Sequence, residues 1–145
     1  MKLPRTRTFL VMAAAALVAG CATGVPVSQS PIANSKVPDG KARIVVYRTG
    51  IMGAAIQPVV HVSGRETGKC TPKGALYVTA DPGQHTISAA TEVRETSNLS
   101  LSAGETAYVK CSIGMGLLVG RPKLDLVPAA VGQAETQKLK VTGQY

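Results

Sequence analysis

The sequence predicts an all-β protein, a small single-domain antiparallel β-sandwich of about seven strands. Three observations carry that expectation. Short runs of Val, Ile, Thr and Tyr are punctuated by Gly, Pro, Asn and Asp, the pattern of a sandwich or barrel. Of 145 residues 45% are hydrophobic and 17% charged, too apolar for a disordered chain and enough for one core. Only 3% are aromatic, with no Trp and one Phe, so the core must be aliphatic and stacking platforms for bases are nearly excluded.

Residues 1–20 read as a lipoprotein signal peptide. Lys2, Arg5 and Arg7 precede the apolar run Phe9–Val18, followed by Ala19, Gly20 and Cys21. This is a positive n-region, a short h-region and small residues at the cut. As a helix the run spans about 15 Å, half of a hydrocarbon core of about 30 Å, and makes no transmembrane anchor. Val18-Ala19-Gly20-Cys21 resembles the bacterial lipobox. That resemblance implies cleavage between Gly20 and Cys21, a diacylglyceryl group on the Cys21 sulfur and an N-acyl chain on its new amino group. Together such chains hold a protein stably on a membrane, where one chain alone binds marginally. Ala22, rather than Asp, follows the cysteine; by the same resemblance this implies the periplasmic face of the outer membrane. Removal of Lys2, Arg5 and Arg7 lowers the formal charge from +8 to +5 and takes Phe9, the one Phe, with it.

Residues 21–40 are expected to be the lipidated cysteine and a disordered tether. Pro26, Pro31 and Pro38, two glycines and three serines interrupt any apolar period. Such a tether would reach about 60 Å as polyproline and about 25 Å as a coil.

The sandwich is expected over 41–128. Its first strand is Ala42–Arg48 and its second about Pro58–Ser63, with Ser63–Gly68 as a turn into a short return strand. The third, Ala75–Ala80, reverses at Asp81-Pro82-Gly83, where Pro presets φ and Gly supplies a positive φ. A fourth runs from about Gln84 to Thr91. The fifth carries Leu99 and Leu101 on one face and Ser100 and Ser102 on the other. In the sixth, Thr106–Ile113, alternation puts Ala107, Val109, Cys111 and Ile113 inside. The seventh, Pro122–Val127, puts Leu124 and Leu126 inside. In the C-terminal tail, 129–145, one short helix over Ala129–Lys140 is expected, weakened by Gly132.

Four phrases match a family of small bacterial lipoproteins defined by a shared domain of unknown function. They are Arg43-Ile44-Val45-Val46-Tyr47-Arg48, Pro82-Gly83-Gln84-His85-Thr86-Ile87, Ala103-Gly104-Glu105-Thr106-Ala107-Tyr108-Val109-Lys110 and Gly120-Arg121-Pro122-Lys123-Leu124-Asp125-Leu126-Val127. The chain resembles that family over about 41–128. The Pro-Gly-x-His corner is also similar to a hairpin of PEGA-type β-sandwich modules. The resemblance implies a fold and an envelope location, and a fold does not license an activity.

With Cys21 assigned to lipid, Cys70 and Cys111 remain. In an oxidising compartment two such cysteines usually pair, and closing that loop contributes up to about 4 kcal/mol. Two separate thiols, or half of a metal site, are the competing assignments. The available catalytic bases are His61 and His85. His61 lies on the face opposite Val60 and Val62, at solvent or a sheet edge; His85 lies at the core rim, hydrogen-bonded to loop backbone. Neither has Ser or Asp in a recognisable constellation, no phosphate loop opens a helix, and the acidic residues are scattered. The expectation is no enzyme, no metal and no cofactor beyond the acyl chains on Cys21.

Two apolar Gly-rich segments stand out, 50–56 with Ile51 and Met52, and 113–120 with Met115, Leu117 and Leu118. They either close one open end of the sandwich or expose an adaptable patch for a protein or lipid. Arg121, Lys123, Arg43 and Lys110 form one candidate basic group, and Arg65, Lys69 and Lys73 another, either solvated or attracted to anionic envelope material. The expected function is a lipid-anchored structural or protein-interaction module of the periplasm. Its partners are the membrane, through the anchor, and an envelope protein, not nucleic acid. The alternative is a binding protein for an amphiphile or cell-wall fragment held against the Gly-rich segments.

Overall fold

The computed structural model describes residues 24–145; the expected signal peptide, with Gly20 and Cys21 at its expected cleavage site, lies outside them. Nine strands are present: β1 Ala42–Tyr47, β2 Val59–Val62, β3 Arg65–Lys69, β4 Gly74–Ala80, β5 Gly83–Ala90, β6 Arg94–Leu101, β7 Thr106–Gly114, β8 Arg121–Val127 and β9 Lys140–Gln144. They form a five-stranded sheet, β8-β7-β1-β4-β9, packed on a four-stranded sheet, β3-β2-β5-β6. The fold is all-β, as expected, with two short strands besides the seven main ones. One is the expected return strand, β3, which begins directly after a tight turn at Ser63-Gly64, both residues at positive φ, and so occupies most of the segment expected as turn. The other is β9, formed from the tail.

The four-stranded sheet is antiparallel throughout, whereas β1 pairs parallel with β7 and β4 parallel with β9. The expected antiparallel sandwich is therefore mixed. Parallel neighbours need a crossover, and the chain supplies it by building the other sheet between β1 and β4 and between β4 and β7.

β1 is buried at all six positions because it has cover on both faces. Ala42, Ile44 and Val46 enter the core between the sheets, with Val60, Val62, Leu76, Val78, Ile87, Leu99, Leu101 and Val109. Val45 and Tyr47 enter a second core on the outer face, with Val27, Ala75, Tyr77 and Leu139. A continuous apolar run is what a strand covered on both faces requires. The cover on the outer face consists of a 3₁₀ turn at Val27–Gln29, a short α1 at Pro31–Asn34 and α2 at Ala129–Thr136.

This corrects the tether. From Gly24 onward the segment is part of the packed body: Val27 is fully buried, its N–H donates to the Leu139 carbonyl at 2.9 Å, and the Val141 N–H donates to the Val25 carbonyl at 2.8 Å. Arg43, read as part of a surface group, is also buried, its guanidinium donating to the Ser35 carbonyl at 3.0 Å. Leu126, expected inside, is 54% exposed because β8 is the edge of its sheet. Gly132 does not end the helix. It is buried against Tyr108, where a Cβ would overlap the ring.

Candidate functional site

The Gly-rich segments are the β1–β2 and β7–β8 loops. β1 and β7 run parallel, so both loops leave the same end of the five-stranded sheet. Their small residues meet: a Cβ on Gly120 would overlap Ile113 and press on Ile56, and one on Gly53 would lie 3.1 Å from Ile113. Gly53 is also at φ +66°, a conformation that Gly adopts without strain. The residues of these loops divide into a packed set and an exposed set. Gly53, Ile56, Ile113 and Gly120 close the end of the sandwich, and Ile51, Met52, Met115, Leu117 and Leu118 point away from it. The last five are exposed, from 67% for Ile51 to 96% for Met115.

Two charged side chains hold these loops. Arg48, directly after β1, is 1% exposed, and its guanidinium donates to the carbonyls of Ile56 at 2.8 Å, Cys70 at 3.1 Å and Met52 at 2.5 Å. Burial pulls its pKa below the usual guanidinium range. Even so, a group this basic stays charged and binds carbonyls through its planar fork. Glu92, between β5 and β6, accepts the N–H of Leu117 at 2.9 Å and of Leu118 at 3.2 Å, and an ion pair with Arg121 at 3.2 Å. The Leu117 amide foremost, then Leu118 and Arg121, hold its carboxyl below the usual carboxylate range. Thr91 adds a 2.8 Å hydrogen bond to the Gly120 carbonyl.

Cys70 and Cys111 are joined by a disulfide with a Cα separation of 6.3 Å, within the span such a bond accepts. It ties the end of β3 to the middle of β7 and so links the two sheets. Because the Cys70 carbonyl also receives Arg48, the bridge and the buried cation buttress the same end.

The first candidate basic group is not assembled on one free surface. Arg43 is buried, Lys110 pairs with Glu135 at 2.8 Å and Arg121 with Glu92. Glu135 also accepts the Tyr47 hydroxyl at 2.5 Å, which anchors α2 over β1 and β7. Lys110 first, then Tyr47, lower the pKa of Glu135.

One constellation escaped the sequence reading. His85 Nε2 donates to the Asp81 carbonyl at 2.8 Å, and Nδ1 is hydrogen-bonded with the Ser63 hydroxyl at 2.9 Å. Ser63 and His85 are 22 residues apart, and only the pairing of β2 with β5 brings them together. The expected bond from His85 to loop backbone is present, and Ser63 adds a second that locks the β2–β3 turn onto the β4–β5 turn. They border a shallow cleft of about 240 Å³, with Arg65, Asp81 and Tyr145. His61 is half-buried on the outer face of β2, between β3 and β5 and so not at a sheet edge.

A family model described as a protein of unknown function (DUF2846) matches residues 38–122, from just before β1 to the start of β8. A relative from Haemophilus influenzae, described as an uncharacterized protein, is 24% identical over 137 residues, covering 90% of this chain and 81% of its own.

Proposed function

The chain belongs to the DUF2846 family, and we propose that it is a lipid-anchored lipoprotein of the cell envelope, a non-catalytic structural or interaction module in the periplasm that makes contact through its apolar loop end. One observation carries the reading. Five exposed apolar side chains project from two loops whose backbones are hydrogen-bonded by Arg48, at Met52 and Ile56, and by Glu92, at Leu117 and Leu118. Exposed Met and Leu on a pre-ordered backbone favour association, since little loop entropy is lost on contact. The n-region, h-region and Val18-Ala19-Gly20-Cys21 support the lipid anchor. The interior is filled by side chains, and the cleft beside His85 lies at the opposite end from the Gly-rich loops, so an amphiphile carrier has less support.

The test is crosslinking and capture from native membranes of the wild type beside Leu117→Ser/Leu118→Ser, with fractionation of Cys21→Ala. The reading expects Cys21→Ala to leave the membrane fraction. It expects the leucine variant to stay folded and lose its contacts. Unchanged capture would remove the loop end as the contact surface.

A further inference from the structure

Exposed cations outnumber carboxylates at the apolar end of the sandwich. Around the apolar loops, on strand ends and neighbouring turns, lie Lys69, Lys73, Arg94, Arg121, Lys138 and Lys140, all exposed. The carboxylates at this end are Glu92, engaged by two amides and Arg121, Glu135, paired with Lys110, and Glu95 next to Arg94. The opposite end is balanced: Asp39 pairs with Lys36 and Asp81 with Lys41, and Glu105 and Arg65 lie there too. Lys73 and Lys138 border one cleft with Thr49 and Glu135, and the Lys140 N–H donates to the Lys73 carbonyl, which keeps these backbones adjacent.

The start of the described chain lies along β9, with residues 26 to 24 running away from the apolar end. Pro26 bridges Lys140 and Val25 bonds Val141, so Gly24 lies beside the first half of β9, the strand that begins at the apolar end. The three peptide units between Cys21 and Gly24 reach at most about 10 Å. A lipid on Cys21 therefore cannot hold this domain far from a bilayer.

We propose that the apolar loop end docks on an anionic phospholipid bilayer, with Ile51, Met52, Met115, Leu117 and Leu118 entering the interface and the surrounding Lys and Arg side chains meeting headgroup phosphates. This rests on the envelope reading above and deepens it by naming what the loop end touches. Apolar tips inside a ring of cations combine the two forces that hold a domain at a membrane surface, apolar burial and attraction to anionic lipid. The excess of exposed cations around the apolar tips complements anionic headgroups, which is why the bilayer is favoured. The short link to Cys21 makes the contact effectively intramolecular, so a weak intrinsic affinity suffices.

The test uses the chain from Ala22 onward, which lacks both acyl chain and signal and retains the whole packed body. Its cosedimentation is measured with phosphatidylglycerol vesicles and with phosphatidylcholine vesicles. The wild type is expected to bind the anionic vesicles and to be released by salt. Leu117→Ser/Leu118→Ser and, independently, Lys73→Glu/Lys138→Glu are each expected to weaken partitioning about tenfold. The charge variant replaces exposed side chains and keeps the fold, so the test survives if the leucine variant unfolds. Absence of binding to anionic vesicles, or variants that bind like the wild type, would overturn the proposal. If a photo-crosslinker at Leu117 then captured an envelope protein, the bilayer would be the wrong occupant and the interaction module would stand. Unmodified Cys21 in cells would instead remove the lipid anchor, whatever the vesicles show.

Discussion

The carboxylate of Glu92 accepts the Leu117 backbone N–H at 2.9 Å, so a residue of the four-stranded sheet holds a loop of the five-stranded one. Glu92→Gln is expected to weaken that hold and raise amide exchange at Leu117 and Leu118, with the core strands unaffected. The pH dependence follows the same bond. The folded-state pKa lies below the ordinary 4.5, so the hold is complete above that value and is lost as pH falls through the folded-state pKa. NMR of the two amides across an acid titration reads it. Amides that stay protected after Glu92 protonates would show that the loop is held otherwise.

Arg48 donates to three carbonyls from a site closed to water. Arg48→Ala leaves those acceptors without their donor, and is expected to destabilise the fold by about 3 kcal/mol. Arg48→Lys recovers only part of this, because an ammonium lacks the planar fork. Urea denaturation midpoints measure both. A loss below about 1 kcal/mol would mean that water replaces the guanidinium.

Removing the bridge with Cys70→Ala/Cys111→Ala is expected to cost about 3 kcal/mol, since it closes a loop of 41 residues in the unfolded chain. Denatured, unreduced protein should show no free thiol from this pair. Two thiols there would exclude the bridge.

Gly132→Ala separates local from tertiary preference. In an isolated helix the exchange is favourable by about 1 kcal/mol. Here the added methyl meets the Tyr108 ring, and the expected outcome is a loss of about 1–3 kcal/mol as α2 is pushed off the sheet. Thermal unfolding decides the sign, and a gain would show that α2 shifts freely.

Much of the sandwich is legible in the chain. Alternation places Val60 and Val62, Leu99 and Leu101, and Val109 and Cys111 in the core, and Asp81-Pro82-Gly83 marks its turn. The missed elements have no such period. Val27, Leu139 and Gly132 are isolated residues whose burial depends on a sheet face that local sequence cannot announce. β9 is short and half-exposed, and gains its hydrogen bonds from β4 and from residues 25–26. Leu124 and Leu126 alternate identically, yet only Leu124 is covered.

The sequence by itself determined that the chain is a β protein with an aliphatic core and which residues carry the Gly-rich apolar loops, and it supplies the segment ahead of Cys21 on which the proposed lipid anchor rests. These are properties of composition, period and short motif, each written in neighbouring residues. Tertiary structure decided that the two loops share one end, that Arg48 and Glu92 fasten them, that Ser63 meets His85, and that the expected tether is packed from Gly24 onward. Each of those depends on which strands become neighbours. Pairing is set by burial summed over the whole chain, not by any segment that could be read alone.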